Sequence, residues 1–328
     1  MTIVYSERLL EHSQWPDHPE SPLRLRTLRK KLEKEGLWDG IVEPVPIDDE
    51  KVLAVHAPEH LEKLRKGGNY PVDPDTFLRD ETYELAMLSA AVAVTAVKEA
   101  LKGNPSVGLT RPPGHHAKSN HMGGFCYLNN AAIAAASAGV RTVIIDLDAH
   151  HCNGTEEIFY ERDDVLVISL HEANYYWDSG YMEDSGEGSG KNYNINIPIP
   201  AHSGNETYHM AIDEIVLPVL RQYGPELVLV SLGVDAHYCE TNAHMQVNTQ
   251  GYVGMCRKLF DACPDGRIAF ILEGGYHLRA TAEVVAGVIA MFRGIELKPE
   301  YAEEKEENGR GREEILKIKE YLSAHWNL

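Results

Sequence analysis

The chain has 328 residues, 31 Lys+Arg against 50 Asp+Glu for a formal charge of −19, and 43% hydrophobic residues. This composition excludes disordered and fibrous classes, and the acidic balance argues against a nucleic-acid partner, whose phosphates need clustered Lys and Arg. The length permits a single long α/β unit with its own core.

The opening segment MTIVYSERLL lacks a basic region followed by an apolar stretch, so no secretory leader is expected. Ser21-Pro22 and the following LRLRTLRKKLEKEGL read as a capped basic surface helix ending near Gly36. Helices are then predicted at 82–101, 129–138, 207–223 and 279–292. Apolar runs rich in Val, Ile and Leu fall at 106–109, 142–147, 165–170, 227–233 and 268–272. Runs apolar on both faces mark parallel strands covered by helices, so the expected class is α/β, a single domain with a mostly parallel central sheet and helices on both faces. The most apolar stretch, 85–97, is too short to span a bilayer, and no membrane partner is expected. Cys126, Cys152, Cys239, Cys256 and Cys263 are scattered, which suits reduced thiols and a cytoplasmic location. The body is assigned to residues 1–293. Residues 294–328 are read as a charged linker, KPEYAEEKEENGRGREE, and a C-terminal helix, ILKIKEYLSAHW.

Ligands in open parallel sheets bind outside the carboxyl ends of the strands, and the chemically unusual residues sit there. IIDLDAHHCNG sets Asp146, Asp148 and His150 at i, i+2 and i+4 on a strand end, so their side chains leave in one direction. Asp148 and His150 suit one metal ion. Asp235 in LVLVSLGVDAHY supplies a third ligand, and two Asp with one His is the open arrangement of a hydrolytic zinc. His237 is either a further ligand or, the preferred reading, a side chain facing the pocket. RPPGHHA fixes the adjacent His115 and His116 on a rigid loop as an acid–base pair, with Asp146 and Asn153 the candidate orienting partners. In ILEGGYHL, Gly274-Gly275 bends the chain and presents Tyr276 as an oxyanion donor.

RPPGHHA, GGFCYLNNAAIAA, IIDLDAHHCNGT, SLGVDAH and EGGYHL, with HPESPLR at residues 18–24, resemble the histone deacetylase family. They are closest to its class II-like prokaryotic deacetylases and acetylpolyamine amidohydrolases, within the arginase–deacetylase fold. The resemblance covers about residues 1–293. It implies removal of an acetyl group from an acylated lysine or a related N-acetylated amine, with acetylpolyamine as the alternative substrate. It implies one zinc on Asp148, His150 and Asp235, although iron(II) fits the same ligands. The tandem His115 and His116 would act with Asp146 orienting His115, and Tyr276 would polarise the acyl carbonyl. A structural potassium ion is implied near Asp146, Ser169 and the carbonyls of Asp148, His150 and Leu170. Gly124 and Phe125 look like part of the acyl tunnel, and Asp75 is similar to the rim aspartate that grips substrate backbone.

Asn153 stands where class I members carry an aspartate. Glu240-Thr241-Asn242 replaces the usual Asp-Pro-Leu turn, so Asn242 makes that rim polar. Tyr175, Tyr176 or Trp177 is expected to supply the opposite wall. Glu183, Asp184 and Glu187 either attract a cationic amine or form a solvated loop. A two-manganese ureohydrolase is disfavoured because Cys152 occupies the position of a further carboxylate ligand. A non-catalytic acyl-binding module is disfavoured by the intact Asp/His/Asp set with Tyr276. Homo-oligomers are compatible with the sequence.

Overall fold

The computed structural model describes all residues but 176–178 and 308, and among the described residues ten strands form, the long central ones where the chain is β-branched and apolar. In chain order they are β1 (Thr2–Val4), β2 (Ile41–Val42), β3 (Tyr70–Pro71), β4 (Phe77–Leu78), β5 (Ser106–Gly108), β6 (Thr142–Asp146), β7 (Val165–Glu172), β8 (Asn194–Ile199), β9 (Leu227–Leu232) and β10 (Ile268–Leu272). Eight build one sheet in the order β2-β1-β5-β10-β9-β6-β7-β8. Its neighbours all run parallel. β3 and β4 form a separate antiparallel hairpin.

The helices are α1 (Leu23–Lys34), α2 (Asp49–Leu53), α3 (Pro58–Lys66), α4 (Thr82–Leu101), α5 (Asn130–Ala136), α6 (Asn153–Phe159), α7 (Asn205–Ala211), α8 (Leu217–Tyr223), α9 (Thr249–Asp261), α10 (Leu278–Phe292) and α11 (Arg310–Leu322). They flank the sheet: α1 packs on α10 and α10 on α9, while α4 packs on α5, β5 and β10. Every residue of β6, β9 and β10 is buried, as the unbroken apolar runs require. Among the described residues, no helix is long and apolar enough to cross a membrane.

The helices α2, α3, α6 and α9 and the β3–β4 hairpin are not among the expected elements, and three further features depart from the sequence pattern. The helix expected over 207–223 is interrupted by a π turn at Ile212–Val216, directly before Pro218. Proline has no N–H to donate and its ring crowds the carbonyl four residues back, which a wider turn accommodates. The short β1 and the alternating β8 lie outside the named apolar runs. β8 is covered yet half polar because Asn194 and Asn196 both donate side-chain N–H to the Glu156 carboxylate at 2.6 Å.

The charged segment after Gly294 is tied to the body. Buried Glu283 accepts the backbone N–H of Glu300 and Tyr301, and Glu307 accepts those of Glu206 and Thr207 at the start of α7. α11 then packs on α7 and β8 through Ile315, Ile318 and Leu322, an i, i+3, i+7 stripe. Ile318→Ala should therefore lower the unfolding free energy by about 2–5 kcal/mol in chemical denaturation, the usual cost of emptying a buried isoleucine site. A shift below about 0.5 kcal/mol would mean that α11 is not docked.

Candidate functional site

The carboxyl ends of β6, β9 and β10 meet on one rim because these strands are adjacent and parallel. Beyond β6 the chain carries Asp148 and His150 across that rim, and beyond β9 it carries Asp235. His150 Nδ1 lies 3.0 Å from Asp148 Oδ1 and 2.8 Å from Asp235 Oδ2. The donor atoms of the three residues all fall within 4.8 Å of one another. Backbone groups aim both carboxylates: Asp148 accepts the N–H of Gly274 at 2.9 Å and of His150 at 3.0 Å, and Asp235 accepts that of Ala149 at 2.7 Å. His150 Nε2 is 3.0 Å from the Asn242 carbonyl. A carbonyl only accepts, so Nε2 carries a hydrogen and Nδ1 is the ring atom that faces the carboxylates. Burial opposes the charged imidazole, but Asp235 and Asp148 outweigh it and raise His150 well above its ordinary range.

There is no space for more. A Cβ on Gly274 would lie 2.5 Å from Asp148 Oδ2 and 2.6 Å from Asp235 Oδ2, and one on Gly233 would lie 2.2 Å from Asp148 Oδ2. Burial and the neighbouring Asp148 push the Asp235 carboxyl above the usual range. Two buried carboxylates aimed at one point resist ionising together unless a cation joins them. The donor set fits a divalent ion of the zinc type, with two oxygens and one nitrogen.

The tandem histidines are fixed from both sides. Glu273, directly after β10, accepts the backbone N–H of Gly114 at 2.7 Å and of His115 at 3.2 Å. The two imidazoles lie 4.0 Å apart. His116 Nδ1 donates to Asn153 Oδ1 at 2.9 Å, which puts the lone pair of the neutral ring on Nε2. Burial, with His115 and His150 nearby, holds His116 well below the usual range and therefore neutral. His115 Nδ1 lies 3.3 Å from Asp146 Oδ2, and its Nε2 lies 3.8 Å from Asp148 Oδ2. Burial opposes its charged form, but the carboxylates of Asp148 and Asp146 outweigh that and raise it to about 10.

A cavity of about 270 Å³ opens onto these groups, lined by His115, His116, Asp148 and His150 at its base. Gly124, Phe125, Tyr175 and Tyr276 form its walls, and Asp75 and Asn242 also line it. Gly124 and Phe125 both adopt positive φ, +56° and +69°, and a Cβ on Gly124 would strike His116 Cδ2 at 2.5 Å. Their turn is held by Asp73, which accepts Gly124 N–H at 3.0 Å, and by Thr76 Oγ1, which accepts Phe125 N–H at 2.8 Å. Phe125 meets Tyr276 edge to face at 5.5 Å, and Arg24 sits 4.8 Å over the tyrosine ring. Burial raises the Tyr276 phenol well above its ordinary range, so it remains a donor. Tyr175, 5.6 Å from the His150 ring, lines the cavity, whereas Tyr176 and Trp177 lie outside the described residues. Exposed Glu183 and Glu187, and Asp184, do not line it.

Asp146, the last residue of β6, is the register partner of Ser169 within β7, where buried Leu170 follows. Ser169 Oγ also lies 2.9 Å from His171 Nδ1. His237 neither joins the donor cluster nor lines the cavity, contrary to both the ligand reading and the preferred pocket reading. β9 has ended at Leu232, and turns bonded through Val234 N–H to Gly274 O and His237 N–H to Val234 O break the period of two. His237 instead stacks on Tyr238 at 4.7 Å, and burial lowers it to about 4. Sequence reasoning misses Pro19 on the cavity wall and the holding roles of Asp73, Thr76 and Glu240, although it places Thr241 on the rim. For Asp73 and Glu240 an acidic residue in a loop beside a motif is the one faint signal; Pro19 and Thr76 carry none.

The histone deacetylase domain model matches residues 18–292. A probable deacetylase of Archaeoglobus fulgidus is 36% identical, with 90% of this chain and 87% of that one covered. A histone deacetylase-like amidohydrolase of Pseudomonas aeruginosa is 37% identical over 79% of this chain and 72% of its own length. The crystal structure of the HDA15 HD domain superimposes with a TM-score of 0.91 at 30% identity, covering 99% of this chain and 95% of that one. With the whole body matched in both sequence and fold, the chain belongs to the histone deacetylase family.

Proposed function

We propose that this protein is a zinc-dependent amidohydrolase that removes an acetyl group from an N-acetylated amine, an acetylated lysine side chain or an acetylpolyamine. The observation that carries the reading is the convergence of Asp148, His150 and Asp235 in one donor cluster, two of whose members, Asp148 and His150, line the cavity that also receives His115, His116 and Tyr276. Asp148, His150 and Asp235 would hold the zinc. Bound there, it supplies Lewis acidity to the acyl carbonyl and lowers the pKa of water toward about 7.

The protein's own groups divide the proton work. Neutral His116, with Nδ1–H tied to Asn153, offers Nε2 to take the proton of the attacking water. His115, held as the imidazolium by Asp146 and Asp148, keeps positive charge beside the developing oxyanion. The Tyr276 hydroxyl donates to that oxyanion. As the C–N bond breaks, a histidine returns the proton to the departing amine, releasing acetate and free amine. Phe125 and Tyr175 wall the acyl arm from solvent, and Asp75 grips the substrate outside the tunnel. Asn242 gives this rim a polar edge. A structural potassium ion would be held by Asp146, Ser169 and the carbonyls of Asp148, His150 and Leu170, fixing the β6–β7 ends.

Turnover of an acetyl-lysine peptide or an acetylpolyamine should vanish on chelation and return with zinc; full turnover by metal-free protein would end the zinc reading. Tyr276→Phe should lower kcat about 10²–10³-fold, the usual worth of one oxyanion donor. Gly274→Ala should abolish stoichiometric zinc uptake, measured by metal analysis, because its methyl group would displace both carboxylates. Wild-type zinc content in that variant would separate Asp148 and Asp235 from the ion.

A further inference from the structure

Past Asp235 the chain crosses the cavity rim and within five residues touches the Tyr276 bend, His150 and the end of β7. Glu240 Oε1 accepts the backbone N–H of Tyr276 at 2.7 Å and also that of His277. The Asn242 carbonyl meets His150 Nε2. His244 donates its backbone N–H to the buried Glu172 carboxylate at 2.8 Å, and its Nδ1 lies 2.9 Å from the same carboxylate. The segment is itself anchored, with Glu240 N–H on the His237 carbonyl and Tyr238 N–H on that of Val247.

Tyr276 needs such a hold. It follows Gly274-Gly275, with Gly275 at φ +109°, and precedes α10, which begins at Leu278. From the other side Arg24 donates to the carbonyls of Gly275 and Glu273, and its guanidinium lies over the tyrosine ring. Arg24 therefore holds the carbonyls of this bend, and Glu240 holds its N–H groups. One carboxyl oxygen that accepts two successive backbone N–H groups pins both of them at once. Thr241 and Asn242 line the cavity but Glu240 does not, so it reaches the chemistry only through the backbone it holds.

We propose that Glu240 is a positioning residue for Tyr276: its carboxylate fixes the backbone from which the phenol reaches the substrate carbonyl. This rests on the proposed deacetylase reading for its effect on rate, but not for its effect on structure. Misplacing a catalytic group by about 1 Å can cost about 10²-fold.

The experiment compares Glu240→Ala, Glu240→Asp and Glu240→Gln, each alone and with Tyr276→Phe. It reads amide hydrogen exchange at Tyr276 and His277, zinc content, and kcat and KM on an acetyl-lysine peptide. Glu240→Ala and Glu240→Asp, the latter one methylene short, should each speed exchange at both amides at least 10-fold. They should lower kcat about 10–100-fold, leaving KM within about 2-fold and zinc content unchanged. Glu240→Gln, whose amide oxygen accepts the same two N–H groups, should stay within about 5-fold of wild type. On the Tyr276→Phe background, none of the three should lower kcat further. Unchanged exchange in Glu240→Ala and Glu240→Asp overturns the proposal, as does an equal kcat loss on the Tyr276→Phe background. A Tyr276→Phe variant with wild-type kcat would instead sink the deacetylase mechanism while the exchange result still judges Glu240.

Discussion

Two fully buried carboxylates, Asp148 and Asp235, are aimed at one imidazole nitrogen, and much of the fold exists to hold them there. Burying like charges together is costly unless hydrogen bonds and a cation compensate. Backbone N–H groups of Ala149, His150 and Gly274 supply the hydrogen bonds. The last joins residues 126 positions apart, so the geometry depends on β6, β9 and β10 being adjacent. Glycine at 233 and 274 follows from the same constraint, since either Cβ would occupy the space of a carboxylate oxygen.

Asp146 carries this order outward. One oxygen accepts the Asp148 backbone N–H, and the other faces His115. The carboxylate cluster and the proposed acid–base pair are therefore one network. The opposite shifts of the two histidines come from their second partners: a carboxylate beside His115 favours the cation, whereas the neutral Asn153 beside His116 does not offset burial. Neighbouring rings with separated proton affinities suit acid–base work near neutral pH.

The same economy appears at the periphery, where carboxylates repeatedly fix loops by accepting backbone N–H groups. Glu273 holds the tandem-histidine loop, Asp73 the Gly124–Phe125 turn and Glu240 the Tyr276 bend. Glu283 and Glu307 hold the segment that leads to α11. Part of the large negative charge of this chain is thus spent inside loops rather than displayed to a partner.

Much was legible without coordinates. The unbroken apolar runs of β6, β7, β9 and β10 announce parallel strands, because only strands covered on both faces need be apolar throughout. Asp148 and His150 meet in one donor cluster as their spacing suggests, although β6 has ended at Asp146, which faces His115 instead. The same periodicity failed at His237, where turns follow the end of β9, and over 207–223, where Pro218 widens the helix. It also passed over β8, whose asparagines satisfy Glu156. The partners of Glu240, Glu273 and Asp73 are backbone N–H groups, which every residue but proline carries, so no pattern of side chains reveals them. Sequence by itself determined which residues have the chemistry and which strand ends present it. Tertiary structure alone decided what holds them, because a hydrogen bond to a distant backbone leaves no trace in the identity of the residue that donates it.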